Sequence, residues 1–269
     1  MSPAPDLLAA IVGATRRDLD VRRAIVPDAA MEARARAGRP PDGRAFVARL
    51  ATPDTVNVIA ECKRRSPSRG VLRAEYDPVT QARAYAAGGA AAISVLTEPS
   101  FFDGALAHLA AVRAAVDVPL LRKDFIVDEY QLFEAVVAGA DAVLLIVSAL
   151  PDADLVRLHG AAAGLGLAVL VEVHDDEELD RAVAAGAEVI GVNNRNLRTL
   201  DVDTTVSERL AARFPAGLIA VSESGLSSAA GVQRLRGLGY RAFLVGERLM
   251  TSATPEADLR TLCAMGAPA

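Results

Sequence analysis

Apolar residues along this chain gather into short runs, and four of those runs share a neighbour. A stretch of helical character ends in a small residue and glycine, and an apolar run follows at once. Ala87-Gly88-Gly89 precedes Ala92-Ile93-Ser94-Val95-Leu96, and Ala138-Gly139-Ala140 precedes Ala142-Val143-Leu144-Leu145-Ile146-Val147. Ala185-Gly186-Ala187 precedes Val189-Ile190-Gly191-Val192, and a looser copy, Leu238-Gly239-Tyr240, precedes Ala242-Phe243-Leu244-Val245. Glycine at that point suits the left-handed conformation that closes a helix. A short run without polar alternation reads as a strand buried on both faces, as in a parallel sheet. The copies lie roughly 50 residues apart, room for about two βα units each, since a βαβ crossover takes about 30 residues. Four further runs, at 56–60, 118–121, 168–173 and 218–221, fall between them.

Eight short strands alternating with helices predict a parallel α/β sheet with right-handed crossovers. Eight units favour closure into a (β/α)8 barrel, the TIM barrel, over a doubly wound open sheet. Helix starts are marked as well. Asp77-Pro78 sets a cap before proline at the first helical position, and Asp128 with Gln131 has the spacing of a capping box. Asp175 opens an acid-rich first turn, and Ser227 opens the helix after the seventh strand. Upstream of the first strand, Leu7, Leu8, Ile11 and Val12 share one helical face. Residues 38–43, Gly-Arg-Pro-Pro-Asp-Gly, then break the pattern before Phe46. Residues 1–52 are too few for a good core of their own. They read as a helical extension packed on the barrel, within one domain spanning 1–269.

Composition narrows the setting. The 269 residues are 52% hydrophobic and 23% charged, which is globular, and one barrel domain of that length is ordinary. A net charge of −5 with no Trp argues against both bulk electrostatic binding of nucleic acid and a base-stacking platform. Cys62 and Cys263 have no metal or redox spacing, which favours a reducing, cytoplasmic setting. Residues 1–6 lack the layout of a signal peptide. The longest apolar runs, such as 142–150, fall short of the roughly 18 residues that a membrane span requires.

The active site of such a barrel lies at the C-terminal ends of its strands, and here those ends carry the unusual residues. The first strand runs into Glu61-Cys62-Lys63-Arg64-Arg65-Ser66-Pro67-Ser68, and the second ends near Thr97-Glu98. The third ends in Arg122-Lys123-Asp124-Phe125, the fifth contains Glu172, and the sixth ends in Asn193-Asn194-Arg195-Asn196. The seventh ends in Ser222-Glu223-Ser224-Gly225 and the eighth in Gly246-Glu247. Alternation along a strand puts Glu61 with Lys63, Lys123 with Phe125, and Asn193 with Arg195 on shared faces. Charges at the rim of an apolar barrel must pair with one another or with a ligand. Serine, glycine turns and a short helix from Glu247 after the last two strands fit a phosphate site. The connection from Lys63 to Asp77 is long for a βα loop, and such loops are often functional; it is expected to close over an anionic ligand. His108 and His159 read as packing or surface residues, His174 as a helix-start residue or a neighbour of the site, and Cys62 as outward-facing packing.

Taken together, Ile59-Ala60-Glu61-Cys62-Lys63-Arg64-Arg65-Ser66-Pro67-Ser68-Arg69-Gly70, Leu96-Thr97-Glu98, Leu121-Arg122-Lys123-Asp124-Phe125-Ile126, Val171-Glu172-Val173-His174, Gly191-Val192-Asn193-Asn194-Arg195-Asn196-Leu197 and Ser222-Glu223-Ser224-Gly225-Leu226 resemble the indole-3-glycerol-phosphate synthase family. The resemblance spans nearly the whole chain. It implies ring closure, decarboxylation and dehydration of 1-(o-carboxyphenylamino)-1-deoxyribulose 5-phosphate in tryptophan biosynthesis, with no cofactor and no metal. It implies Lys123 as general acid, Glu172 as an assistant in proton removal, Glu61 and Lys63 as a second acid/base pair, and Asn193 as an orienting group. Ser66, Ser224, Gly225, Gly246 and Glu247 would hold phosphate, with Arg195 and Glu223 lining the site and Phe125 as an apolar wall. Many relatives carry serine where this chain has Glu247, so its amide is expected to bind while the carboxylate turns to solvent or to a basic partner. The implied partner is the phosphorylated substrate, with no nucleic acid or membrane, in a monomer or weak oligomer that could dock with other enzymes of the pathway. The competing readings are another phosphate-binding barrel, such as phosphoribosylanthranilate isomerase or a tryptophan synthase α-like lyase, and a non-catalytic scaffold.

Overall fold

The structure, a computed structural model, describes residues 6–226 and 228–265. The reading of residues 1–5 as no signal peptide, and Ser227 as a helix opener, lie outside the described residues. Three helices come first: α1 (Leu7–Ile25), α2 (Asp28–Ala37) and α3 (Gly43–Leu50). Then follow β1 (Asn57–Cys62), the two-residue strands β2 (Arg65–Ser66) and β3 (Gly70–Val71), α4 (Pro78–Ala87), β4 (Ala92–Leu96), α5 (Pro99–Phe102), α6 (Leu106–Ala115), β5 (Leu120–Lys123), α7 (Glu129–Val137) and β6 (Ala142–Ile146). The second half runs α8 (Asp152–Gly164), β7 (Ala168–Val173), α9 (Asp176–Ala184), β8 (Val189–Asn193), α10 (Thr205–Ala211), β9 (Ile219–Glu223), α11 (Ala229–Gly237), β10 (Ala242–Val245), α12 (Glu247–Met250) and α13 (Pro255–Ala264).

Eight strands close on themselves in the order β1-β10-β9-β8-β7-β6-β5-β4, with β4 pairing back to β1. Every ladder of that ring is parallel. An open doubly wound sheet is therefore excluded. Alternation sorts each strand into two apolar layers. On β6, Ala142, Leu144 and Ile146 belong to the cluster inside the barrel, whereas Val143 and Leu145 join the layer under the helices. Cys62 is buried in that outer layer, as its place between two inward residues predicts.

The N-terminal helices pack against both ends of this interior. Leu8 and Ile11 of α1, with Phe46 and Leu50 of α3, belong to the same apolar cluster as Ile59, Leu121 and Leu170 of the strands. At the N-terminal end of β6, the buried Asp141 carboxylate accepts from Arg39 Nη1 at 2.9 Å, the Asp42 amide at 3.0 Å, Arg113 Nη1 at 3.0 Å and the Leu120 amide at 3.0 Å. One acid thus joins the extension to two barrel segments, each of its bonds charge-assisted.

Several local expectations need correction. The ladder of β5 starts at Leu120, not residue 118, because Pro119 has no N–H to give. Val147 leaves the sheet into a single 3-10 turn. Gln131 does not close a box on Asp128; its side chain accepts from the Val127 amide and donates to the Phe125 carbonyl, bracing the loop after β5. The described cap of α11 is Ser228, whose hydroxyl accepts from the Gly231 amide. The connection from Lys63 to Asp77 is not plain loop, since β2 and β3 pair antiparallel within it.

Of the polar residues at the end of β5, Asp124 borders the cavity at the strand ends, but alternation turns the Arg122 side chain away from the interior, under α7. Arg122 is 1% exposed and bonds Asp124 Oδ2 at 2.8 Å, Glu134 Oε2 at 3.2 Å and the Gln131 carbonyl at 2.5 Å. Glu134 in turn accepts from Arg22 of α1 at 2.6 Å. Glu98, another rim residue, caps α5 by accepting from the Ser100, Phe101 and Phe102 amides.

Candidate active site

A cavity of about 580 Å³ opens at the C-terminal ends of the barrel strands. The residues that the family resemblance assigns to the site all line it: Glu61, Lys63, Ser66, Lys123, Phe125, Glu172, Asn193, Arg195, Glu223, Ser224, Gly225, Gly246 and Glu247. They come from β1, β2, β5, β7, β8 and β9 and from the turns after these strands and after β10, so the chain converges on one point only when the barrel closes.

The floor is a buried charge cluster. Lys123 Nζ lies 3.1 Å from Glu172 Oε2 and 3.6 Å from Glu223 Oε2. Lys63 pairs with Glu61, as their shared face requires. Asn193 donates from Nδ2 to Glu172 Oε1 at 3.1 Å and accepts from the Arg195 amide at 3.0 Å, so one amide sets two neighbours. Burial opposes the charge on Lys123, but Glu172, Glu223 and Glu61 outweigh it and raise its pKa, so the ammonium persists at all working pH. Burial also pushes on Glu172, yet Lys123, His174 and the Asn193 bond hold that carboxyl below its ordinary value. For Glu223 burial wins, aided by Glu172 and Glu61, and its pKa rises to about 8. Its Oε1 is buried with no hydrogen-bond partner, which suits a neutral carboxyl better than an anion. Two of these acids fit only because glycine faces them. A Cβ on Gly191 would stand 2.1 Å from Glu223 Oε1, and one on Gly246 would stand 2.2 Å from Glu61 Oε2.

The cavity has two unlike sides. Leu7 and Ile11 of α1, Phe102 of α5, Phe125 and Leu197 form an apolar one. The Phe102 and Phe125 rings lie 6.2 Å apart at 34°. The other side gathers Ser66, Arg69, Arg195, Ser224, Gly225, Gly246 and Glu247. There the Glu247 carboxylate takes Arg69 Nε at 3.0 Å and Arg195 Nη2 at 3.9 Å, which is the basic partner expected for it. An ammonium set between an ionised and a neutral carboxyl can give a proton to a carbonyl oxygen and have it replaced. The apolar side can take an aromatic ring, and the hydroxyls, amides and arginines opposite can take an anion. Among the described residues no group of three or more His, Cys, Asp and Glu is set to hold a metal ion.

A family model for indole-3-glycerol phosphate synthase matches residues 8–262. The chain belongs to the indole-3-glycerol phosphate synthase family. It is 46% identical over 261 residues to the indole-3-glycerol phosphate synthase of Azospirillum brasilense, covering 96% of this chain and 99% of that one. It is 57% identical over 206 residues to that of a Nocardioides strain, covering 77% and 79%. Solved structures resemble it in fold alone. KGPDC from Streptococcus mutans superposes with a TM-score of 0.60 at 14% identity, over 77% of this chain and 95% of that one. Thiamine phosphate pyrophosphorylase from Pyrococcus furiosus gives 0.59 at 16%, over 78% and 95%. Membership leaves the isomerase, α-like lyase and scaffold readings without support.

The synthase family motifs did not reveal every wall. Leu7 and Ile11 were read as packing alone, because an i, i+4 apolar pair looks the same whether it faces a core or a cavity. Phe102 went unnamed although Phe101-Phe102 is a conspicuous pair in a chain with 4% aromatics. Arg69 was seen only as one of several loop arginines.

Proposed function

We propose that this chain is a carbon–carbon lyase, closing the pyrrole ring of 1-(o-carboxyphenylamino)-1-deoxyribulose 5-phosphate to give indole-3-glycerol phosphate, carbon dioxide and water. The observation that carries the reading is Lys123, bracketed by Glu172 and Glu223 on the floor between an aromatic-lined side and a hydroxyl-rich side. The aryl ring lies against Phe102, Phe125, Leu7 and Ile11. The phosphate lies toward Ser66, Ser224, Gly225 and the amides at Gly246 and Glu247, with Arg195 beside it. That places the ketone over Lys123. The ring carbon bearing the carboxylate bonds to the ketone carbon while Lys123 gives its proton to the ketone oxygen, and Glu223, neutral at pH 7, is placed to return one. Carbon dioxide leaves next, from an apolar setting that disfavours the carboxylate, with Lys63 near it until it departs. Glu172 then takes the proton lost in dehydration, with the Glu61–Lys63 pair assisting departure of the hydroxyl.

The chain acts as one domain, with α1 to α3 covering the barrel, in the cytoplasm and as a monomer or weak oligomer that docks with other enzymes of tryptophan biosynthesis. No helix among the described residues is long and apolar enough to cross a membrane. Incubation of the purified chain with the carboxyphenylamino ketose phosphate tests the activity. Appearance of indole absorbance with an equivalent of carbon dioxide supports it, and unchanged substrate at stoichiometric enzyme refutes it.

Two further expectations concern the phosphate. Ser224 holds a left-handed φ of 64°, and Ser224→Ala removes the hydroxyl while keeping the Cβ that serine already places there, so no backbone strain is added. Its KM rises about tenfold with kcat nearly unchanged, because the phosphate does not react. A fall in kcat at constant KM would give Ser224 a chemical role instead. In Glu247→Gln the two arginines lose a competing anion. Such part-exposed pairs are worth about 1 kcal/mol or less, so KM falls by up to about fivefold; a raised KM in steady-state assays would contradict the placing of phosphate there.

A further inference from the structure

His174 follows β7 and stands behind Glu172. It does not line the cavity, yet its ring is held with unusual care. Glu178 Oε2 accepts from the His174 backbone amide at 2.8 Å and from ring Nδ1 at 2.9 Å. Glu178 sits in the first turn of α9, where its own amide donates to the cap, Asp175. The turn that starts α9 therefore also aims a side chain at the site. A carboxylate partner makes Nδ1 the donor, which leaves Nε2 to face inward. Nε2 is buried without a hydrogen-bond partner and lies 3.5 Å from Glu172 Oε1.

That geometry answers a charge problem. Glu172 has no exposure to water, and Lys123, its strongest cation, is shared with Glu223 and influenced by Glu61. Lys63 is engaged by Glu61. A base buried among competing acids needs another positive neighbour to remain ionised. We propose that His174, aimed and charged by Glu178, is a positioning residue that holds Glu172 in place and in its ionised form during turnover. This rests on Glu172 acting as a base in the proposed reaction.

The groups acting on His174 are Glu172 on β7, Glu178 on α9 and Glu223 on β9, with Lys123 on β5 beyond Glu172. Burial disfavours the imidazolium, but the Glu178 bond, Glu172 and Glu223 outweigh it and raise its pKa. Its charge is thus complete at acid pH and is lost only as pH rises through a value above that of free histidine. Glu172 is ionised above its own lowered value. Removing the His174 charge lets the Glu172 pKa rise, so the acid limb of the rate profile moves to higher pH.

Two variants test this, each measured beside the unaltered enzyme. His174→Asn can keep a bond to Glu178 but supplies no charge. Glu178→Gln keeps a hydrogen-bonding group for the ring and removes the charge that sustains it. Both are expected to lower kcat by about 10- to 100-fold, with KM within about twofold, and to move the acid limb of kcat/KM by about one pH unit upward. Comparing variant and unaltered profiles removes the ionisation of the substrate phosphate from the difference. Profiles that superimpose on the unaltered one, with any rate loss independent of pH, overturn the proposal. Loss of fold in His174→Asn, read by circular dichroism, leaves Glu178→Gln to decide. Absence of turnover in the unaltered enzyme would instead defeat the reading of function on which both rest.

Discussion

Lys123→Ala lowers kcat by about 10² to 10⁴, the usual loss when a positioned acid is removed. Single-turnover measurement with the carboxyphenylamino ketose phosphate checks this, and a variant with the unaltered rate would end the assignment. The same change carries a stability signature. Without the ammonium, Glu172 and Glu223 lose the cation that lies between them, Glu172 keeps only His174, and both carboxyls are driven further toward protonation. A carboxyl whose folded-state pKa is raised binds more protons in the folded than in the unfolded chain, so stability declines as pH rises between the two values. The variant should therefore melt close to the unaltered enzyme near pH 5 and progressively below it toward pH 8. Equal melting differences at the two pH values would mean that the lysine charge does not hold the acids.

The second large effect lies away from the cavity. Arg122→Met leaves Asp124 and Glu134 buried without their shared guanidinium. Breaking a buried network by removing one partner costs about 3–5 kcal/mol, and for a chain of this size that lowers the melting temperature by roughly 10 °C. Arg22 still serves Glu134, and Thr97 with the Phe125 amide still serve Asp124, which places the loss toward the lower end. Urea unfolding measures it. A change below about 1 kcal/mol would mean that the two acids are satisfied without Arg122. Because Lys123 and Phe125 alternate with these residues, some rate is expected to go with the stability.

The contrast between Lys123 and Arg122 explains what was legible in the sequence. Parallel strands buried on both faces leave solid apolar runs, and a glycine signal marks the start of every second one, so the barrel was readable. The polar residues at 61, 63, 123, 172, 193 and 223 were readable as a site because a barrel gathers strand ends. The direction in which each polar side chain leaves its strand was less accessible. Arg122 and Lys123 are adjacent and both cationic, yet one braces α7 and the other faces the cavity. Alternation could have separated them, had Phe125 been used to fix the phase back to 122. The hairpin of β2 and β3 was hidden because two-residue strands show no period. The double role of Glu178 was hidden because it depends on a ring four residues earlier turning back toward it.

Gly191 and Gly246 carry a consequence for how this sequence can change over generations. Each gives up a side chain to an acid on the adjacent strand, so position and acid form a pair in which one tolerates variation only through the other. A methyl at Gly191 meets the end of a side chain rather than backbone, which predicts a folded enzyme with Glu223 displaced. Because Glu223 and Glu61 serve the reaction as well as fill that space, shortening either to admit a side chain would itself cost turnover, so both glycines are held by the chemistry and not by folding.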